Sequence, residues 1–195
     1  MDERADDVVF LGGEAWQHVI ELLPNVRVHC HPAADPERIA SWLEDRGVER
    51  AVVVAHGDGC DTAQALAAER SDLVAGLVLT GSGRRRNLIE RLRGDGGPSV
   101  DDRADEIEVP VDVVWGDRDD LGLGRRLADA LGAEYDLVED GGRYLPQEHP
   151  GRIAQAIGRV TATQRASAAA ERPAPHRARS SSSSAPRTRR APRPG

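Results

Sequence analysis

AVVVAHGDGCDTAQALAAE, residues 51–69, changes its period halfway. Ala51 to Ala55 are apolar without a break, as a central parallel strand covered on both faces requires. Gly57 and Gly59 bracket Asp58 in a turn too tight for bulky residues. From Gly59 onward small residues dominate, which lets a helix pack close to what lies beneath it. Strand, glycine turn and helix in this order make half of a βαβ unit, and the unit predicts a parallel sheet.

The same alternation extends outward in both directions. DDVVFLG (6–12) and NVRVHCH (25–31) read as strands upstream. Between them, EAWQHVIELL (14–23) puts Trp16, Val19, Ile20 and Leu23 at helical spacing. DPERIASWLEDRG (35–47) carries Asp35 as N-cap, Pro36 in the first turn and Gly47 as the stop. Downstream, VAGLVLTGS (74–82), VPVDVVWGD (109–117) and AEYDLVEDG (133–141) read as strands. LGRRLADALG (123–132) and PGRIAQAIGRV (150–160) read as helices. The stretch 83–107 breaks the rhythm with one short helix (87–93) and a polar loop. About six strands alternating with helices predict an α/β fold with a doubly wound, mostly parallel sheet. Ligands in such sheets sit outside the carboxyl ends of the strands.

Composition separates two regions. Residues 166–195 hold seven Arg and one Glu, with no aliphatic or aromatic anchor beyond alanine and proline. This segment is expected to be a disordered Arg/Ser/Pro-rich tail, because it cannot bury enough apolar area to offset its ordering entropy. Residues 1–165, the expected domain, carry 19 Arg against 32 acidic residues, a net of −13. An acidic body is a poor nucleic-acid binder, so nucleic acid enters only as weak phosphate contacts of the tail. There is no lysine, which excludes Schiff-base and phosphate-loop-lysine chemistry. Two cysteines, Cys30 and Cys60, make no disulfide framework. No apolar run approaches a membrane span, and the DERADD after Met1 does not resemble a signal peptide. The expectation is a cytoplasmic protein without a cofactor. Oligomeric state is not legible here.

Three segments resemble the α/β-hydrolase fold family in its small, capped form. AVVVAHGDG with the helix and strand that follow looks like the nucleophile elbow. VPVDVVWGDRDD looks like the strand and loop that deliver the acid. LVEDGGRYLPQEHPGRIAQAI looks like the last strand, the histidine loop and the final helix. The likeness spans about residues 6–160 and implies a cap reduced to about 83–107. It also implies a nucleophile, a histidine, an acid and an oxyanion loop. By that register the nucleophile position is Gly57, which has no side chain. The histidine position is Arg143, which stays protonated and cannot act as a base. The acid position is Asp119, which is retained. The oxyanion and pocket positions fall on Gly12 and Gly13 of FLGGEAW and on Asp58.

Relocated chemistry has four candidates. Asp58 is displaced by one residue from where aspartate-nucleophile relatives would need it; the alternative is a helix N-cap. Cys60 sits in the first turn of a helix, where a thiolate is favoured, or is simply a small buried residue. His29, His31 and His56 would need to converge to ligate zinc; the reading without a metal places one in the core and two at the rim. Finally His56, Arg84 and Arg143 would suit an anionic ligand, unless Arg143 pairs with Asp119. The residues point to a chain that has lost Ser-His-Asp hydrolysis and binds a small molecule or partner. The alternatives are a hydrolase acting through Asp58 or Cys60, and a decayed paralogue without a selected function.

Overall fold

Val52 to Ala55 and Val74 to Leu79 have almost no solvent exposure, so their strands need helices on both faces. The computed structural model describes residues 6–12, 16–32, 35–81 and 104–171. In chain order the elements are β1 (Asp6–Leu11), α1 (Gln17–Ile20), β2 (Val26–His31), α2 (Pro36–Glu44), β3 (Ala51–His56) and α3 (Gly59–Glu69). They continue with β4 (Val74–Thr80), a 3-10 turn (Ala104–Glu106), β5 (Val111–Gly116), α4 (Leu121–Leu131), β6 (Glu134–Val138), α5 (Leu145–Glu148) and α6 (Pro150–Glu171). The six strands form one sheet in the order β2-β1-β3-β4-β5-β6, with every pairing parallel.

The chain leaves β1 outward to β2 and returns past β1 to β3. The direction of winding therefore reverses between β1 and β3, where such sheets open a ligand crevice. One face of the sheet packs Val9, Leu11, Val53, Leu77 and Trp115 under α2, α3 and α4. The other packs Phe10, Val54, Val78 and Val114 under α1, α5 and α6.

Local signals behave as their chemistry dictates. Asp35 accepts from the Glu37 amide at 2.9 Å, Pro36 opens α2, and Gly47 beyond its end has φ +66°. Such a cap stabilises a helix by about 1 kcal/mol. Two spans differ from the sequence reading. The helix expected over 14–23 is only Gln17–Ile20, because Pro24 forces the preceding residue out of the helical region and Asn25 turns at φ +64°. The final helix, expected to stop at Val160, runs to Glu171 and so crosses the domain boundary placed at residue 165. TATQRASAAAE lacks Gly and Pro, and Arg165 anchors its course through Asp6 at 2.6 Å. Most of the cap segment 83–107 and the tail from 172 lie outside the described residues.

Beneath α6, Asp112 is 2% exposed; its Oδ2 accepts from Arg159 Nε at 2.9 Å and its Oδ1 has no partner. Burial pushes this carboxyl above the usual carboxylate range, with Arg159 pulling the other way. Arg159 also reaches Asp136, which pairs in turn with Arg152. A carboxyl whose folded pKa is raised costs stability above that pKa, and the cost fades as pH falls toward the unfolded value. Arg159→Leu should therefore destabilise by about 1–3 kcal/mol at neutral pH, by stranding a buried carboxylate. The deficit should shrink between neutral and mildly acidic pH, as protonation of the raised carboxyl replaces the guanidinium. Urea unfolding of wild type and variant at both pH values checks this, and a deficit that grows in acid would contradict it.

Candidate functional site

The site lies at the carboxyl ends of β1, β3 and β5 and is built outward from the turn after β3. Gly57 has φ +60°, a left-handed conformation that costs a side-chain-bearing residue about 1 kcal/mol or more. Its amide donates to Thr80 O at 3.2 Å, and its carbonyl accepts from Cys60 N at 3.1 Å. The turn is thereby fixed to β4 on one side and to α3 on the other. At Gly59 an added Cβ would come within 3.1 Å of the Leu11 carbonyl, so the helix start is pressed against the end of β1. The turn after β3 thus carries its left-handed residue at position 57.

His56, the last residue of β3, turns away from the elbow. Its Nε2 donates to the Arg143 carbonyl at 2.9 Å; the carbonyl can only accept, so Nε2 carries the proton. The ring sits between Trp16 (centroids 6.3 Å, edge-on) and Tyr144 (6.0 Å). Trp16 in turn donates from Nε1 to Gly12 O at 2.9 Å. One imidazole therefore ties the elbow to the loop after β6 and, through Trp16, to the loop after β1. Among the described residues no side-chain nucleophile is hydrogen-bonded to it.

The remaining candidates separate clearly. Asp58 is exposed at the N-cap position of α3, and its side chain makes no capping hydrogen bond. Asp119 is half-buried in the turn after β5; its Oδ2 is buried and has no partner. Arg143 is exposed, and no ion pair joins it to Asp119, so the expected replacement of the histidine–acid pair does not form. Gly12 has φ +88° and receives Trp16 as described. Gly13 and Arg84 lie outside the described residues. His149 ends α5 and offers its carbonyl to Arg152 N at 3.0 Å, a capping role.

Cys60 takes its reading as a small buried residue, and the three histidines do not gather. Cys60 is fully buried, its thiol directed at Ala55 O and Thr80 O, both at 3.6 Å. Burial pushes it up to about 12, so it stays protonated at neutral pH and is no nucleophile. The histidine constellation does not converge, because β1 lies between β2 and β3. His29 Nε2 instead meets Asp7 at 2.8 Å, and His31 Nδ1 donates to Pro32 O at 2.6 Å. Both rings lean on Trp42, and no group of three potential ligands gathers among the described residues.

Sequence reasoning missed Asp7, Trp16 and Glu148 as organising residues. Asp7 is a buried acid at the start of β1, and its partners on β2 become visible only once the strands are paired. Glu148 accepts from the Gly142 amide at 2.5 Å and closes the loop that bears Arg143. Its only sequence signal is an acid near the end of a short helical turn. No described helix is long and apolar enough to cross a membrane.

No family model and no curated protein matches the sequence. Solved structures do match. Est816, an N-acyl homoserine lactone degrading enzyme, aligns with TM-score 0.64 at 18% identity, over 79% of this chain and 92% of its own. The enol-lactonase of Burkholderia xenovorans aligns with TM-score 0.66 at 15% identity, over 81% and 92%. The carboxylesterase CesB of Bacillus subtilis aligns with TM-score 0.64 at 14% identity, over 83% and 85%. The elbow geometry, the six-stranded parallel sheet and these alignments agree: the chain has the α/β-hydrolase fold.

Proposed function

We propose that this chain holds a small molecule or a partner at the carboxyl edge of its sheet without hydrolysing it. The observation that carries this reading is the absence of any nucleophile–base pair at the elbow among the described residues. Position 57 has no side chain, and the one adjacent imidazole gives its Nε2 proton to a backbone carbonyl. Position 143 holds a guanidinium and no imidazole, and the buried thiol next to the turn stays protonated. Acyl transfer needs a nucleophile within reach of a base, oriented by a third group. Only the third group, Asp119, is kept.

The rival reading is a hydrolase acting through Asp58. An aspartate nucleophile needs a histidine to activate the water that releases it, and Asp58 has no histidine partner among the described hydrogen bonds. Esters and lactones are the natural probes, because the structural neighbours are by name a lactonase, a carboxylesterase and a lactone-degrading enzyme.

The purified chain should turn over short-chain aryl esters and acyl lactones no faster than buffer. A rate that disappears in Asp58→Asn would sink the proposal. Binding without turnover should appear as a rise in melting temperature with unreacted lactone recovered. Gly57→Ser should show no burst of product and should lower stability by about 1 kcal/mol, because serine must then adopt the left-handed turn. Iodoacetamide should label only Cys30 in the native protein, Cys60 reacting once the chain is unfolded. Native labelling of Cys60, read by peptide mass, would reopen the thiol as a nucleophile.

A further inference from the structure

β2 is an edge strand with one side paired. Its register with β1 runs unbroken from Asp6–Val26 to Leu11–His31. Gly12 N donates to His31 O at 3.3 Å, so the His31 carbonyl faces inward. Along a strand the N–H and C=O of one residue share a side and those of the next point the other way. Arg27, His29 and His31 therefore bond inward. Val26, Val28 and Cys30 hold their N–H and C=O groups outward, where no described strand lies against them.

This edge lacks most devices that blunt edge strands. VRVHCH contains no proline, lysine or acid, and its register with β1 shows no bulge. The opposite edge, β6, opens with Glu134 and carries Asp136.

The two faces beside the open edge differ in chemistry. On one, Val26 and Val28 are half-buried against the core with Ile20 and Leu23, Cys30 is exposed, and Leu22 is 49% exposed. On the other lie Arg27, His29 and His31, and Arg46 of the turn after α2 stacks 4.1 Å from the Trp42 ring that both imidazoles touch. The acid facing them is Asp7, buried and held by Arg27 at 2.5 Å and His29 at 2.8 Å; Glu44 of α2 is taken by Arg70. The guanidiniums of Arg27 and Arg46 against the one carboxylate of Asp7 leave that face net positive.

We propose that the outer edge of β2 receives an extended segment of a partner protein as an added strand, one whose side chains alternate apolar and acidic. Main-chain hydrogen bonds to Val26, Val28 and Cys30 supply the attachment. The alternation supplies the choice, apolar side chains toward Val26 and Val28 and acidic ones toward Arg27, His31 and Arg46. A second copy of this chain is the poorer occupant, because its own β2 would set the same basic row against itself.

The test uses the full chain and labelled peptides of about eight residues, the length of an ordinary strand with overhang. One peptide alternates valine and glutamate, one alternates valine and lysine, and a third is the glutamate peptide interrupted by proline. The glutamate peptide should bind at least about tenfold tighter than either control by fluorescence anisotropy. It should also slow amide exchange at Val26, Val28 and Cys30. Val28→Pro removes an outward N–H that the sheet does not use, a position where edge strands tolerate proline. That variant should weaken binding at least about tenfold with its far-ultraviolet spectrum unchanged. Should it fail to fold, Arg46→Glu, outside the strand, should narrow or invert the preference between the glutamate and lysine peptides. Equal affinity for both charged peptides, no binding of either at millimolar concentration, or self-association that Val28→Pro abolishes would each overturn the proposal.

Discussion

The backbone at residue 57 has to turn left-handed between a strand with no exposure and a helix pressed on the neighbouring strand. Much of the site follows from that constraint. The turn sends the Gly57 amide to β4 and its carbonyl to the first turn of α3. It brings Gly59 against the end of β1, which fixes how close α3 lies to the sheet. It buries Cys60 beneath Ala55 and Thr80, where the thiol cannot ionise at neutral pH. It also ends β3 so that His56 points sideways, toward the loop after β6 instead of over the elbow.

His56 links the turn after β3 to the loop after β6 through one hydrogen bond. The link runs from a side chain on β3 to a backbone carbonyl, so the identity of the side chain at position 143 is irrelevant to it. Glu148 closes the same loop from its other end, through the Gly142 amide. Trp16 extends the tie to Gly12.

The sheet was legible because its strands are long apolar runs and its turns carry glycine where φ must be positive. The elbow was legible for the same reason: Gly57 and Gly59 are dictated by backbone sterics, and sterics are local. What could not be read was pairing across strands. His29 and His31 do share a face, yet their distance from His56 depended on β1 being threaded between β2 and β3, a fact of topology and not of spacing. Asp7 looked like one more acid in an acidic N-terminus until pairing placed it under Arg27 and His29. The final helix outran its expected stop because its last turns are poor in apolar residues, so a periodicity reading ends early. Helix propensity and an exposed ion pair continue it.

Positions 57 and 119 differ in how far folding explains them. A nucleophile on the elbow is held in a strained conformation, and strain at an active site is retained only while function requires it. Glycine removes that strain, so Gly57 is what stability alone would choose at this turn. Asp119 keeps a buried Oδ2 without a partner among the described residues, which costs a folded protein about 1–3 kcal/mol. Stability alone would have replaced Asp119 as readily as it installed Gly57. The elbow is therefore explained by folding, whereas the retained acid is not.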